Sequence, residues 1–210
     1  MARYKGPVCR LCRRAGDKLY LKGSRCMGAK CAVDGRGTPP GMRSRKLPQR
    51  RPSDYAMQLR EKQKLKQVYG VLERPFRRYV RRAERSRGVA GEILLQLLER
   101  RLDNVVYRAG FATSRAQARQ WVLHRHFAVN GRVVTIPSFQ VRPGEVVEVR
   151  EGSRAVGHLL AARDSSAAGG NLSWLQVSPE AFRVEILGLP VRQEIDAPVE
   201  ERLIMEFYSR

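Results

Sequence analysis

Four cysteines, Cys9, Cys12, Cys26 and Cys31, are the residues whose type and spacing most plainly suit chemistry, and the chain holds no others. Two thiolates two or four residues apart reach one ion from a tight turn. A second pair about 12–20 residues on completes a tetrahedron, the pattern of a structural zinc site. Four thiolates around one zinc ion leave a negatively charged centre. Arg10, Arg13, Arg14 and Lys30 stand beside it, where they offset that charge and favour the thiolate form. Two disulfides are the competing reading, but nothing marks the chain for an oxidising compartment. A redox C-x-x-C lacks its βαβ surroundings. A catalytic zinc needs an open position and commonly a His ligand, and the only histidines, His124, His126 and His158, lie far off in sequence. The spacing therefore predicts one closed, structural Zn2+ that supplies a core to a segment too short and polar to bury its own.

The second chemistry-bearing set is the basic residues. The 210 residues hold 41 Lys+Arg against 20 Asp+Glu, a net charge of +21. The excess is +13 over residues 1–52, +6 over 53–98 and +5 over 99–150, and it turns to −3 over 151–210. A surface this positive needs an extended polyanion, and nucleic acid comes before an anionic membrane. No apolar run reaches the roughly 20 residues of a spanning helix, and the basic N-terminus lacks an apolar segment after it, so no secretory signal is expected and the chain reads as cytoplasmic. The acidic end reads as a packing or protein-docking element.

These residues need elements to position them. Residues 34–52 are rich in Gly and Pro, and Arg43, Arg45, Lys46, Arg50 and Arg51 form an irregular basic arm there. Ser53 caps a helix carrying Lys62 and Lys64, which Gly70 ends. A second helix starts at Pro75. Phe76, Tyr79, Val80 and Ala83 make one apolar stripe, with Arg77, Arg78, Arg81, Arg82 and Arg85 over the remaining surface. A third, from Glu92 to about Leu102, is apolar over most of its circumference and belongs at a domain junction. Next comes a short helix ending at Gly110, then one begun by Ser114 with Gln117 at the capping-box position. Asn130-Gly131 between apolar runs is a type I′ hairpin signal, and Val147 and Val149 alternate with charges in a last strand. Two helices on a small antiparallel sheet follow. Arg101, Arg108, Arg115, Arg119 and His124 are expected near one helix-pair surface with Arg132 at the hairpin, an arrangement that reads folded RNA by shape rather than B-DNA through a recognition helix. A small-residue loop at Ser165–Gly170 precedes a final helix opened by Pro198, whose Glu200 and Glu201 are candidate protein contacts.

The run from Arg101-Leu102-Asp103 through Ser114-Arg115 and Ala118 to Val129-Asn130-Gly131 resembles the RNA-binding domain named after the fourth small-subunit ribosomal protein. That domain also occurs in RNA-modifying enzymes. Arg3-Tyr4, Gly6-Pro7, Lys18 to Gly23, the cysteines, Arg51 to Tyr55, Leu59 to Lys64 and Glu206 to Arg210 extend the resemblance over nearly the whole chain, to the ribosomal protein family itself in its bacterial zinc-containing form. The resemblance implies a primary binder of small-subunit ribosomal RNA that docks on a junction of the 5′ domain and starts assembly. It further implies a neighbour in the fifth small-subunit protein, a place along the messenger path and an influence on decoding fidelity, with Arg43, Arg45, Lys46, Arg50 and Arg51 where the family places its messenger-path residues. Lys62, Lys64, Arg77, Arg78, Arg81, Ser114 and Asn130 join the expected RNA contacts. The chain departs from the family at Arg125, between His124 and His126, where Gly is common, so a helix end without its left-handed glycine cap is expected.

The fold expected is α+β. It has a zinc-stabilised N-terminal module with basic arm (1–45), a helical domain (46–98 with 181–210) and an RNA-binding helix–hairpin domain with the small-residue loop (99–180). The function expected is non-enzymatic: a structural constituent of the small ribosomal subunit. An RNA-modifying enzyme carrying the same module is the alternative, but residues 151–210 show no nucleophile, carboxylate pair or phosphate loop. A zinc-dependent DNA binder is the third reading, and no recognition helix follows the cysteines.

Overall fold

The structure is a computed structural model that describes residues 3–35, 37–41, 51–154 and 172–209. Arg43, Arg45, Lys46, Arg50, His158 and the small-residue loop lie outside the described residues. The chain divides into two compact units, one running up to Leu94 and resuming at Asp196, the other from Leu95 to Ile195.

The first unit is helical. Its N-terminal part holds α1 (Cys9–Ala15) and the short α2 (Ala32–Gly35). Then come α3 (Asp54–Val68), α4 (Glu73–Glu84), the start of α5 (Ala90–Glu99) and a last helix, α8 (Glu201–Tyr208). Ser53 caps α3 as expected, its Oγ accepting from Ala56 N–H at 3.3 Å. α4 begins at Glu73, two residues before the predicted Pro75, because Pro in a first turn forfeits no intrahelical hydrogen bond. Leu65, Val68, Phe76, Val80, Ala83 and Ile204 are buried, and α8 lies along α3. That packing is close where α5 starts: a Cβ on Gly91 would meet Glu201 Cγ at 2.8 Å. α8 starts at Glu201 rather than at Pro198.

The second unit sets α6 (Leu102–Arg108) and α7 (Arg115–Leu123) against a five-stranded antiparallel sheet. Its strands are β1 (Phe127–Val129), β2 (Arg132–Val133), β3 (Val146–Val149), β4 (Leu175–Ser178) and β5 (Arg183–Ile186), in the order β2-β1-β3-β5-β4. Asn130 and Gly131 both take positive φ, 48° and 75°, which makes the hairpin turn between β1 and β2 type I′. β4 and β5 were not expected. They pair Val147 with Val184 and Leu175 with Ile186 on the core side, and with Trp174 they bury apolar surface against the helices. The segment 181–195 therefore belongs to the sheet unit, and the expected boundaries at 99 and 181 move to 95 and 196. The helix expected to run from Glu92 to Leu102 stops at Glu99. Arg101 leaves helical geometry (φ −69°, ψ 136°) to cap α6 and bridge to Gln140.

α7 keeps a left-handed cap without glycine. Arg125 takes φ 66°, its N–H donates to Val122 C=O at 3.1 Å, and His126 N–H donates to Trp121 C=O at 3.2 Å. Those are the two bonds of a Schellman motif. The expected loss of the cap is corrected: the geometry stays and the arginine carries the strain.

Candidate nucleic-acid interface and cysteine cluster

The four cysteines come together. Cys12 sits on α1, Cys26 at the end of a 3-10 turn and Cys31 just before α2, and with Cys9 they line one cavity of about 20 Å³. All four are free thiols, and Cys12, Cys26 and Cys31 are buried. Lys22 N–H donates to Cys26 Sγ at 3.3 Å. Burial, with smaller contributions from the charges of Cys26, Cys9 and Cys31, pushes the Cys12 thiol up, so the nearby basic side chains do not by themselves hold it deprotonated. Among the described residues, no three His, Cys, Asp or Glu side chains are arranged to hold a metal ion. The thiols thus converge on one space without forming a closed coordination shell. The donor set fits a four-thiolate zinc centre in kind and number, and its sulfurs have to draw in to make one.

In the sheet unit, four of the arginines expected at the RNA surface, Arg101, Arg108, Arg115 and Arg119, are committed to two buried carboxylates. Arg101 Nε and Nη2 donate to the two oxygens of Asp103 at 3.0 and 2.6 Å. Arg119 Nη1 donates to Asp103 Oδ2 at 3.2 Å. Glu99, 1% exposed, accepts from Arg108 Nε and Nη2 at 3.0 and 3.1 Å and from Asn104 Nδ2 at 2.8 Å. The Asn104 amide, thus oriented, presents Oδ1 to Arg115 Nε at 2.7 Å, and the Arg115 guanidinium lies 4.5 Å over the Tyr107 ring. Arg101 and Arg119 are only 2% and 7% exposed, so the reading of both as surface contacts is corrected: the pair builds the core. Arg108 and Arg115 are half-buried. Ser114 is buried as the α7 N-cap, accepting from Gln117 N–H at 3.3 Å. Gln117 in turn accepts from Thr113 N–H, one residue earlier than a capping box requires. Asn130 is exposed, but its Oδ1 accepts from Val146 N–H at 2.9 Å and serves the hairpin. His124 and Arg132 are exposed. Sequence reasoning missed Glu99, Asp103 and Asn104 as organisers. Their signal was available: acids set within an apolar run, with arginines nearby, are acids that get buried with partners.

The same holds for α3. Lys62, 6% exposed, donates to Glu73 Oε1 at 3.2 Å and sits 4.3 Å over the Phe207 ring. Lys64 pairs with Asp17 at 2.6 Å and Glu61 at 2.9 Å, and these bonds outweigh burial and raise its pKa. The expected role of Lys62 as an RNA contact is therefore corrected to a packing role. Tyr208 OH and Lys66 also donate to Glu73, and together with Lys62 they hold its carboxyl below the usual range despite burial.

The arginines of α4 are different. Arg74, Arg77, Arg78, Arg81, Arg82 and Arg85 are all exposed, as is Arg87 just beyond, and none forms an ion pair with a carboxylate among the described residues, although Arg77 does reach the Tyr208 hydroxyl. Arg74 and Arg87 were not singled out from the sequence. Arg51 is also exposed. Glu200 is exposed, with its backbone N–H donating to Glu61 at 3.1 Å, whereas Glu201 packs over Gly91.

Comparison with known proteins agrees with this division of the chain. Residues 3–99 match the family model described as Ribosomal protein S4/S9 N-terminal domain, and residues 100–147 match the S4 domain. Small ribosomal subunit protein uS4A of Symbiobacterium thermophilum is 59% identical to the chain, with all of both chains covered. The chain belongs to the uS4 family. The uS4 proteins of Halothermothrix orenii and Natranaerobius thermophilus are 54% and 53% identical, again over the full length of both chains. All three relatives are named as proteins of the small ribosomal subunit. No helix among the described residues is long and apolar enough to cross a membrane.

Proposed function

We propose that the chain is a structural, non-enzymatic constituent of the small ribosomal subunit, a primary binder of its ribosomal RNA that docks on the 5′ domain and starts assembly. The observation that carries this reading is full-length similarity to uS4 proteins in a chain whose α4 arginines are exposed, with no carboxylate ion pair among the described residues. A polyanion held by such groups loses affinity steeply with salt. A competition assay tests it: a 5′-domain RNA fragment should bind far more tightly than random duplex at the same ionic strength. Equal binding would refute the reading.

Three finer roles go with it. The basic arm, Arg43, Arg45, Lys46, Arg50 and Arg51, borders the messenger path and influences decoding fidelity. The fifth small-subunit protein is the chief protein neighbour, met at Glu200 and Glu201. Charge reversal at both should weaken binding to that protein, and unchanged binding would reduce this end to packing. The protein works in the cytoplasm.

Cys9, Cys12, Cys26 and Cys31 hold one structural zinc. The convergence of four free thiols on one cavity supports this. Bound zinc would supply a crosslink in place of the core this segment lacks. Protein purified without chelator should carry about one zinc per chain, and metal-free protein that keeps its N-terminal fold would overturn it.

A further inference from the structure

Granted that the chain binds RNA, we propose that the outer side of α4 is a phosphate ridge lying along a single RNA strand. Arg74, Arg78, Arg81 and Arg85 form its crest and Arg77 and Arg82 its flanks. α4 has two faces. Phe76, Val80 and Ala83 are buried. At about 100° and 1.5 Å per residue, the four crest arginines fall within roughly 60° of arc on the opposite side, about 4.5–6 Å apart along the axis. That is a one-dimensional row with spacing of the same order as phosphates along a strand.

No acid interrupts the row. Glu73 lies toward the flank and is engaged by Lys62, Lys66 and Tyr208. Glu84, the other acid of α4, lies about 60° or more from the crest. Like charges at i,i+4, here Arg74 with Arg78, Arg77 with Arg81, Arg78 with Arg82 and Arg81 with Arg85, destabilise a helix. Among the described residues no carboxylate forms an ion pair with any of these arginines, whereas every lysine of α3 has a carboxylate partner. A surface shaped for solubility mixes its signs. A row of one sign made only of arginine, whose planar fork suits phosphate oxygens, is shaped for an external polyanion. Such contacts carry no base information, so the ridge supplies register and salt-dependent affinity rather than sequence choice.

The test uses the full chain with R74Q/R78Q/R81Q/R85Q, beside R142Q/R183Q, which removes two exposed arginines of the sheet unit. Binding to the 5′-domain RNA fragment is measured across a salt series, with thermal midpoints recorded. The quadruple variant should lose about 3 from the slope of log K against log salt, at roughly 0.7–0.9 per phosphate released. Its thermal midpoint should hold or rise, because the repulsion is gone. The control should keep its slope within about one. An unchanged slope in the quadruple variant overturns the ridge, as does an equal loss per charge in the control, or weaker RNA binding that comes only with a lower midpoint. If the quadruple variant binds RNA normally but loses affinity for polyglutamate, the ridge is a protein site and the proposal is wrong. Failure of the wild-type chain to prefer the fragment over random duplex would instead refute the RNA reading itself.

Discussion

On and just after α4, seven arginines stand in solvent with no carboxylate ion pair among the described residues, while in the sheet unit Arg101, Arg108, Arg115 and Arg119 are gathered onto Glu99 and Asp103. By composition the two sets look alike. By environment they do opposite work. A guanidinium beside a buried carboxylate in a low-dielectric interior fixes the positions of α6 and α7 against each other and is used up there. A guanidinium on an exposed helix face adds little to folding and stays open for a phosphate. Counting arginines therefore overstates the RNA-facing charge of the S4 domain and understates that of the helical unit.

The comparison breaks most readily at Asp103. Asp103→Ala strands Arg101 and Arg119 without their shared partner and should cost about 3–5 kcal/mol in urea unfolding, enough to lose the sheet unit. A cost under about 1 kcal/mol would mean that these arginines are no more structural than those of α4. Arg125→Gly should move stability the other way, by about 1–2 kcal/mol, since glycine takes the left-handed cap position without strain. A loss on that substitution would show that the arginine side chain does more than terminate α7. The pH dependence of α8 sharpens the comparison within the helical unit. Glu73 is held below its ordinary pKa, so its contribution is present above the unfolded carboxylate range and lost as the pH falls through the folded value. Near-UV signals of Phe207 and Tyr208 should change on acidification, and Glu73→Gln should flatten that change. The smallest effect is expected on α4 itself: a single Arg78→Gln should shift stability by no more than about 0.5 kcal/mol. A large loss there would make the ridge structural and erase the contrast.

Much of the architecture was legible because it is local. The Ser53 and Ser114 caps, the Asn130-Gly131 turn, the apolar stripe of α4 and the convergence of two cysteine pairs depend on neighbours within a few residues or on one short loop. What escaped was non-local. β4 and β5 are four-residue strands, and their membership in the sheet depends on pairing Val184 with Val147 across 37 positions of chain. The arginines of the S4 domain were read as exposed because helical periodicity shows which face is apolar. It does not show that Glu99 and Asp103 would be buried with arginines around them.

By itself the sequence determined the class of partner, since a net +21 concentrated in residues 1–150 demands a polyanion whatever the fold. It also determined the α+β class, the cysteine cluster and the S4-domain helix pair. Only the tertiary structure decided which cations remain to meet that partner. Whether an arginine is a ligand for RNA or a strut inside the protein turns on whether a carboxylate is brought within about 3 Å of it in a place water does not reach. That is a property of how distant segments pack, which composition and spacing do not contain.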